Sequence, residues 1–297
     1  MILTTMDLET GIIYGEEHVS IWDKERERKQ KYIDKKNDTV ELRKTFNSEE
    51  YGFYNHCFFN KISYQEKQYI TRFMYLGSYS DYEGYMVKDI NNKKKREYIK
   101  INETMGLLNL SQREFMNTKQ YLIDNDFIEV DKDNKIIINK KYINKGEVKM
   151  SNKEFQKVEN DYVRVFDNTV KTIYENSTPK EHKRLGLLFQ ILPYLNVEHN
   201  VLCTLDTVNE KDETKIKAIT MKELCLLIGY DVTKSTRLKR ELLNITIGEE
   251  LVIGVFETKN GKAIIVNARL FYKGSDLDNL NGIRAFFKIK NNVRSNG

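Results

Sequence analysis

The feature that most constrains this chain is an internal repeat. The stretch 267–274 begins with Asn and closes with Lys-Gly, and the stretch 139–146, placed 128 residues earlier, does the same. Further upstream, Tyr79 and Tyr194 stand 115 residues apart at the ends of two similar apolar segments. Repeats at nearly constant offsets predict that two copies of one structural unit follow each other along the chain.

Both copies begin with the pattern of an amphipathic helix. Apolar residues recur at helical spacing over 63–79, and again over 185–192 after a helix-start signal at Pro179. The stretches 99–108 and 219–228 then align with an offset of 120. Each of these stretches predicts a helix, and the residues that follow it predict a tight turn and a second helix. This order is the helix-turn-helix signature.

The turns and second helices carry signals of their own. In the first copy, Ser111 and Glu114 have the spacing of a capping box at the start of a helix over 112–124. In the second copy, Gly229 lies where a turn between two helices needs a positive backbone dihedral.

A β-hairpin is predicted after each second helix, because β-branched runs flank a polar turn. The predicted strands are 127–130 with 136–138 in the first copy and 251–256 with 263–266 in the second. The second copy has gained 8 residues between its second helix and its last strand. This order of elements predicts an α+β fold of tandem winged helix-turn-helix domains, mainly helical with β-hairpin wings.

The repeat also suggests domain boundaries. We expect an N-terminal hairpin and charged segment at 1–55, a first winged-helix domain at 56–149, a linker at 150–160, a second winged-helix domain at 161–275 and a basic C-terminal tail at 276–297. The charged run after Trp22 is interpreted as a solvated helix face or linker.

The second helix of each copy has an outward face suited to nucleic acid. In the first copy, Phe115, Leu122 and Ile123, with Met116 beside them, are expected to point inward. The remaining face and its counterpart 120 residues later hold amides and arginines, which can pair with base edges or phosphates. The outward triplets are Arg113, Asn117 and Gln120 in the first copy and Thr233, Arg237 and Arg240 in the second.

Further candidate contacts surround the triplets. These are the helix-start residues Ser111 and Gln112, the flanking Lys234 and Lys239, and the lysines of the two hairpin turns, Lys132, Lys135, Lys259 and Lys262. In a winged helix the hairpin tip lies along the sugar-phosphate backbone or in the minor groove, so these lysines are candidate backbone contacts.

Enzyme classes are disfavoured by missing patterns. His18, His56, His182 and His199 are isolated, and the sequence contains no P-loop, Gly-x-Ser-x-Gly or His-Glu-x-x-His motif. The cysteines Cys57, Cys203 and Cys225 form no C-x-x-C pair, which argues against a disulfide framework and a zinc site. We expect no catalysis, no cofactor and no metal.

Composition limits the partners and the cellular location that can be expected. A net charge of +5 is compatible with a nucleic-acid partner without being evidence for one. No apolar run is long enough to span a bilayer, and the N-terminus lacks a signal-peptide pattern, so a soluble cytoplasmic protein is expected.

The layout and the ending of each copy resemble the winged-helix replication and regulatory proteins of Gram-positive plasmids and phages, of the RepL-like kind. The tandem arrangement is similar to plasmid initiators of the Rep_3 family, and the similarity covers roughly 60–147 and 160–275. The resemblance implies sequence-specific binding of double-stranded DNA, with replication initiation as the role. Initiation would require helicase or primase proteins, encoded by the host or the element, as partners. The sequence leaves monomer and homodimer as open alternatives.

Two other functions remain open at this point. The same surface would serve a transcriptional regulator of a mobile element. Alternatively, degenerate winged helices could form a protein-interaction scaffold that binds another protein instead of DNA.

Overall fold

The chain has a mixed α+β fold with small antiparallel sheets, as the sequence predicts at the level of fold class. The computed structural model describes residues 5–6, 13–14, 21–46, 53–92, 96–146, 162–258 and 261–295. Within these residues, no helix has the length and apolar character needed to cross a membrane. The predicted linker 150–160 lies outside the described residues.

Residues 1–44 and 45–297 form two compact units. In the first unit, β1 (Thr5–Met6) pairs with β2 (Ile13–Tyr14), so the predicted N-terminal hairpin is confirmed. Helix α1 (Ile21–Phe46) follows, and its charged stretch 24–31 is exposed, as expected for a solvated helix face.

The second unit holds both copies of the repeat. The elements of the first copy are β3 (Tyr54–Phe58), α2 (Lys67–Gly77), α3 (Thr104–Leu107), α4 (Gln112–Asp124), β4 (Ile128–Val130), β5 (Ile136–Ile138) and β6 (Ile143–Asn144). Helix α4 has the predicted bounds, and β4 and β5 form the predicted hairpin.

The second copy has the same order with additions. Its elements are β7 (Tyr162–Phe166), α5 (Asp167–Glu175), α6 (His182–Leu185), α7 (Leu187–Gln190), α8 (Met221–Leu227), α9 (Ser235–Leu243), β8 (Thr246–Ile247), β9 (Glu250–Leu251), β10 (Ile253–Thr258), β11 (Gly261–Val266), β12 (Phe271–Tyr272) and α10 (Leu277–Ser295). The small β8–β9 hairpin precedes the predicted β10–β11 hairpin and accounts for much of the extra length. Residues 276–297, predicted as a tail, contain α10, whose Leu280, Ile283 and Phe287 are buried.

Equivalent backbone bridges occur in the two copies. Tyr85 pairs with Ile137 in the first copy, and Val201 pairs with Ile265 in the second, so an extended piece joins the returning strand of each hairpin. The turns before α4 and α9 also match, because Asn109 (φ 51°) and Gly229 (φ 64°) both adopt the left-handed conformation. The positive dihedral expected at Gly229 is therefore confirmed.

One four-stranded sheet joins the copies, in the order β12-β7-β3-β6. Its two central strands, β3 and β7, are antiparallel, with His56 opposite Arg164 at the middle of the ladder. One hydrophobic cluster extends from Cys57 to Phe271 and includes buried residues of both copies. The two copies are therefore parts of one compact unit.

The first helices of the two copies cross at close range. A Cβ atom added to Gly186 would lie 2.3 Å from the backbone oxygen of Lys67, so only glycine fits there. On the other side of the crossing, Thr71 Oγ1 donates a hydrogen bond to the His182 oxygen at 2.8 Å. The helical segment of the second copy that aligns with α2 begins at His182 and is interrupted at Gly186, which corrects the prediction of one helix starting at Pro179.

Gly186→Ala should lower the free energy of unfolding by about 1–3 kcal/mol, because the new methyl group meets backbone atoms that cannot move away cheaply. Gly282→Ala is the matched control, since its Cβ would have no neighbour within 4 Å and alanine favours the helix by about 0.5–1 kcal/mol. Urea unfolding curves measure both changes. Equal stability of the two variants would contradict the close crossing.

Candidate nucleic-acid interface

The outward face of α4 presents the predicted triplet to solvent. Arg113, Asn117 and Gln120 are all exposed, and Gln120 Nε2 donates to Asp124 Oδ1 at 2.7 Å. At the helix start, Gln112 is exposed and Ser111 Oγ accepts from the Glu114 backbone N–H at 3.4 Å. Ser111 therefore caps the helix, which positions the triplet behind it.

The inward face of α4 differs from the prediction at two positions. Phe115 and Leu122 are buried as expected, but Met116 is 49% exposed and Ile123 is 39% exposed. Thr118 is buried in their place and donates its hydroxyl to the Glu114 oxygen at 2.7 Å. The prediction for Met116 and Ile123 was wrong because a threonine, satisfied by hydrogen bonds, occupies the centre of the buried face.

A buried arginine, Arg72 of α2, holds α4 in place. Its Nη1 donates to Thr118 Oγ1 at 2.8 Å, and its Nη2 lies 3.5 Å from Glu114 Oε1. Its Nε donates to His182 Nδ1 of the second copy at 3.2 Å. The exposed triplet of the first copy is therefore fixed relative to the second copy through one side chain.

The second triplet lies on and just before α9. Thr233, Arg237 and Arg240 are exposed, but Thr233 Oγ1 donates to Asp231 at 2.7 Å and Arg237 Nε donates to Glu241 at 2.8 Å. The helix starts with a short 3-10 turn, Val232–Lys234, because Asp231 also accepts from the Thr233 backbone N–H.

The lysines that flank the second triplet differ in exposure. Lys234 is exposed and lies 3.1 Å from Asp231, whereas Lys239 is half-buried. The stretch 231–241 has four basic and two acidic residues, whereas the stretch 111–124 has two of each. The second copy therefore presents the more cationic helix.

The hairpin tips are only partly available for phosphate contacts. Lys132 is exposed, but Lys135 Nζ lies 2.8 Å from Asp133 Oδ2 and 4.9 Å from the centre of the Tyr98 ring. In the second hairpin Lys262 is exposed and pairs in register with Glu257, while Lys259 lies outside the described residues. In the first hairpin, Asp133 beside Lys135 reduces the positive charge that the tip offers to a polyanion.

Sequence analysis did not identify the residues that connect the copies beneath these helices. Tyr174 stacks on Tyr75 with ring centres 3.9 Å apart and on His182 at 4.3 Å, and its hydroxyl donates to the Leu108 oxygen at 2.9 Å. The sequence feature that could have indicated contacts between the copies is Arg72, a charged residue within the apolar stripe of α2. A charge at such a position requires partners, and these lie more than 40 residues away.

No group of three or more possible metal ligands occurs among the described residues. Comparisons with family models, with curated protein sequences and with solved structures find no match. The functional argument therefore depends on the geometry of the chain itself.

Burial holds two histidines of this unit in the neutral form. The pKa of His182 is lowered from 6.5 to about 4, first by burial and then by the nearby Arg72. Burial and Arg164 lower the pKa of His56 in the same way, also to about 4. Burial raises the pKa of Asp167 from 3.8 to about 6, against the attraction of Lys145.

The free energy of unfolding should fall as the pH decreases from 6.5 to 4. In that range the unfolded chain binds protons at both histidines that the folded chain rejects, while Asp167 binds one in the folded state and opposes them. His182→Asn keeps an acceptor for Arg72 and removes one titrating group, so its stability should depend less on pH. Urea midpoints at several pH values test this, and an unchanged pH dependence in the variant would contradict it.

Proposed function

We propose that this protein is a sequence-specific double-stranded DNA-binding protein built from tandem winged helix-turn-helix domains, with replication initiation on a plasmid or phage as its role. The observation that carries the proposal is the presence of two exposed polar helix faces at equivalent positions of the repeat. Each has residue types that pair with base edges or phosphates, and each is followed by a hairpin.

The local architecture supports equivalent roles for the two helices. Glu103 accepts from the backbone N–H of Lys100 at 2.9 Å, and Glu223, 120 residues later, accepts from that of Thr220 at 2.7 Å. The same contact thus lies at the start of α8 and just before the start of α3, the helices that precede the two tight turns. Because α4 and α9 follow these turns with their buried sides on the core, their exposed sides are free of the fold's own packing.

The charge distribution suggests a division of labour between the copies. Amide side chains dominate the outward face of α4, whereas α9 has Arg237 and Arg240. Amides can read adenine edges, and arginines can bind guanine or phosphate. We therefore assign A·T-rich base reading to the first copy and more of the backbone affinity to the second.

DNA binding is tested by mobility shift of the full chain with DNA flanking its own gene, at about 50 and 200 mM salt. We expect a specific complex that weakens with salt. Arg240→Ala should lower the affinity for the specific site by about 1–3 kcal/mol if it contacts a base, whereas Lys215→Ala, an exposed lysine outside both faces, should have little effect. Absence of a specific complex would refute the proposal.

Arg113→Ala and Arg237→Ala distinguish DNA binding from a protein-interaction role, since variants that kept full DNA affinity would favour a scaffold.

The initiator role needs its own experiment. A plasmid carrying the gene and its flanks should replicate autonomously, and the Arg240→Ala variant should not support this. A flank that fails to replicate but confers a response on a promoter fusion would instead indicate a transcriptional regulator.

A further inference from the structure

The contacts between the copies obey a local twofold symmetry. In the central sheet, Ile143 pairs with Cys57 and Phe271 pairs with Val165. Because Ile143 and Phe271 are equivalent at the repeat offset of 128, Cys57 and Val165 occupy equivalent positions in β3 and β7. The strands of the two copies therefore correspond at an offset of 108.

With this correspondence, the pairing of β3 with β7 is reciprocal: a residue of one strand pairs with the counterpart of the residue that its own counterpart pairs with. Asn55 pairs with Val165, the counterpart of Cys57, and Cys57 pairs with Val163, the counterpart of Asn55. The middle pair, His56 and Arg164, consists of counterparts facing each other. This is the contact pattern of an isologous interface, in which residue i meets j and residue j meets i.

The helix crossing follows the same rule independently. At its offset of 115, Thr71 corresponds to Gly186 and Lys67 corresponds to His182. Thr71 contacts the backbone oxygen of His182, and Gly186 faces the backbone oxygen of Lys67. Two separate interfaces, one between strands and one between helices, thus both show the reciprocal contacts of a twofold arrangement.

Helices α4 and α9, here called the reading helices, are both connected to this crossing. Arg72 of α2 contacts Glu114 and Thr118 of α4, as described above. Five residues earlier in α2, Lys67 Nζ lies 5.8 Å from the centre of the Tyr230 ring, and the Tyr230 hydroxyl donates to Glu241 of α9 at 3.3 Å. About 7.5 Å of α2 therefore separates the attachment points of the two helices.

We propose that one chain reads an inverted repeat, with two related but non-identical half-sites, as a single-chain counterpart of a twofold dimer. This inference rests on the proposed function. Twofold-related reading helices meet the two DNA strands in opposite directions, so the matching site has dyad symmetry rather than two direct repeats. The half-sites differ because the amide face of α4 and the arginine face of α9 differ.

The test uses the full chain to select binders from a random duplex library of about 40 base pairs. The expected sites contain two half-sites in inverted orientation. Reversing one half-site, which turns the inverted site into a direct repeat, should lower the affinity at least about 100-fold, because the second helix loses its contacts. Sedimentation of the complex should give one chain per duplex.

Two variants assign the half-sites. Arg113→Ala should relax base preference in one half-site only, Arg240→Ala in the other only, and Lys215→Ala in neither. Specific sites arranged as direct repeats, or two chains on each inverted repeat, would overturn this inference and leave the proposed function intact. If the library yields no preferred sequence, both are overturned.

Discussion

The unit formed by residues 45–297 depends on the pairing of β3 with β7. Each outer strand of the four-stranded sheet, β6 and β12, is only two residues long and pairs with one of these central strands. Separated, each copy would keep a two-stranded ribbon with an exposed edge, which is marginal in water and open to other chains. The backbone hydrogen bonds between copies therefore stabilise each copy as well as their arrangement.

A buried ion pair lies at the same joint. Lys145, just after β6, bonds to Asp167 at the start of α5, and Asn55 of β3 donates to the other carboxylate oxygen of Asp167 at 2.6 Å. Lys145 and Asp167 are almost fully buried, so removing one partner would leave the other charge without compensation, at a cost of about 3–5 kcal/mol. The polar contacts thus penalise any other register between the copies.

Local patterns in the sequence predicted the local elements well. The bounds of α4, both hairpins and the positive dihedral at Gly229 follow from capping, alternation and turn chemistry. The β3–β7 ladder was not predicted, because its partners lie more than 100 residues apart and the two strands share little sequence. The exposure of Met116 and Ile123 depends on the packing of Thr118 at the centre of the buried face, which periodicity alone does not reveal.

The helix crossing shows what a duplicated chain permits. In a homodimer, any substitution appears on both sides of the axis, and assembly depends on the concentration of subunits. Here Thr71 supplies a hydrogen bond on one side while Gly186 supplies close approach on the other. Such a pairing of unlike residues is accessible only when the copies mutate separately. Because the two copies are covalently joined, their association does not depend on protein concentration. A cell with very few molecules of this protein therefore still contains paired copies.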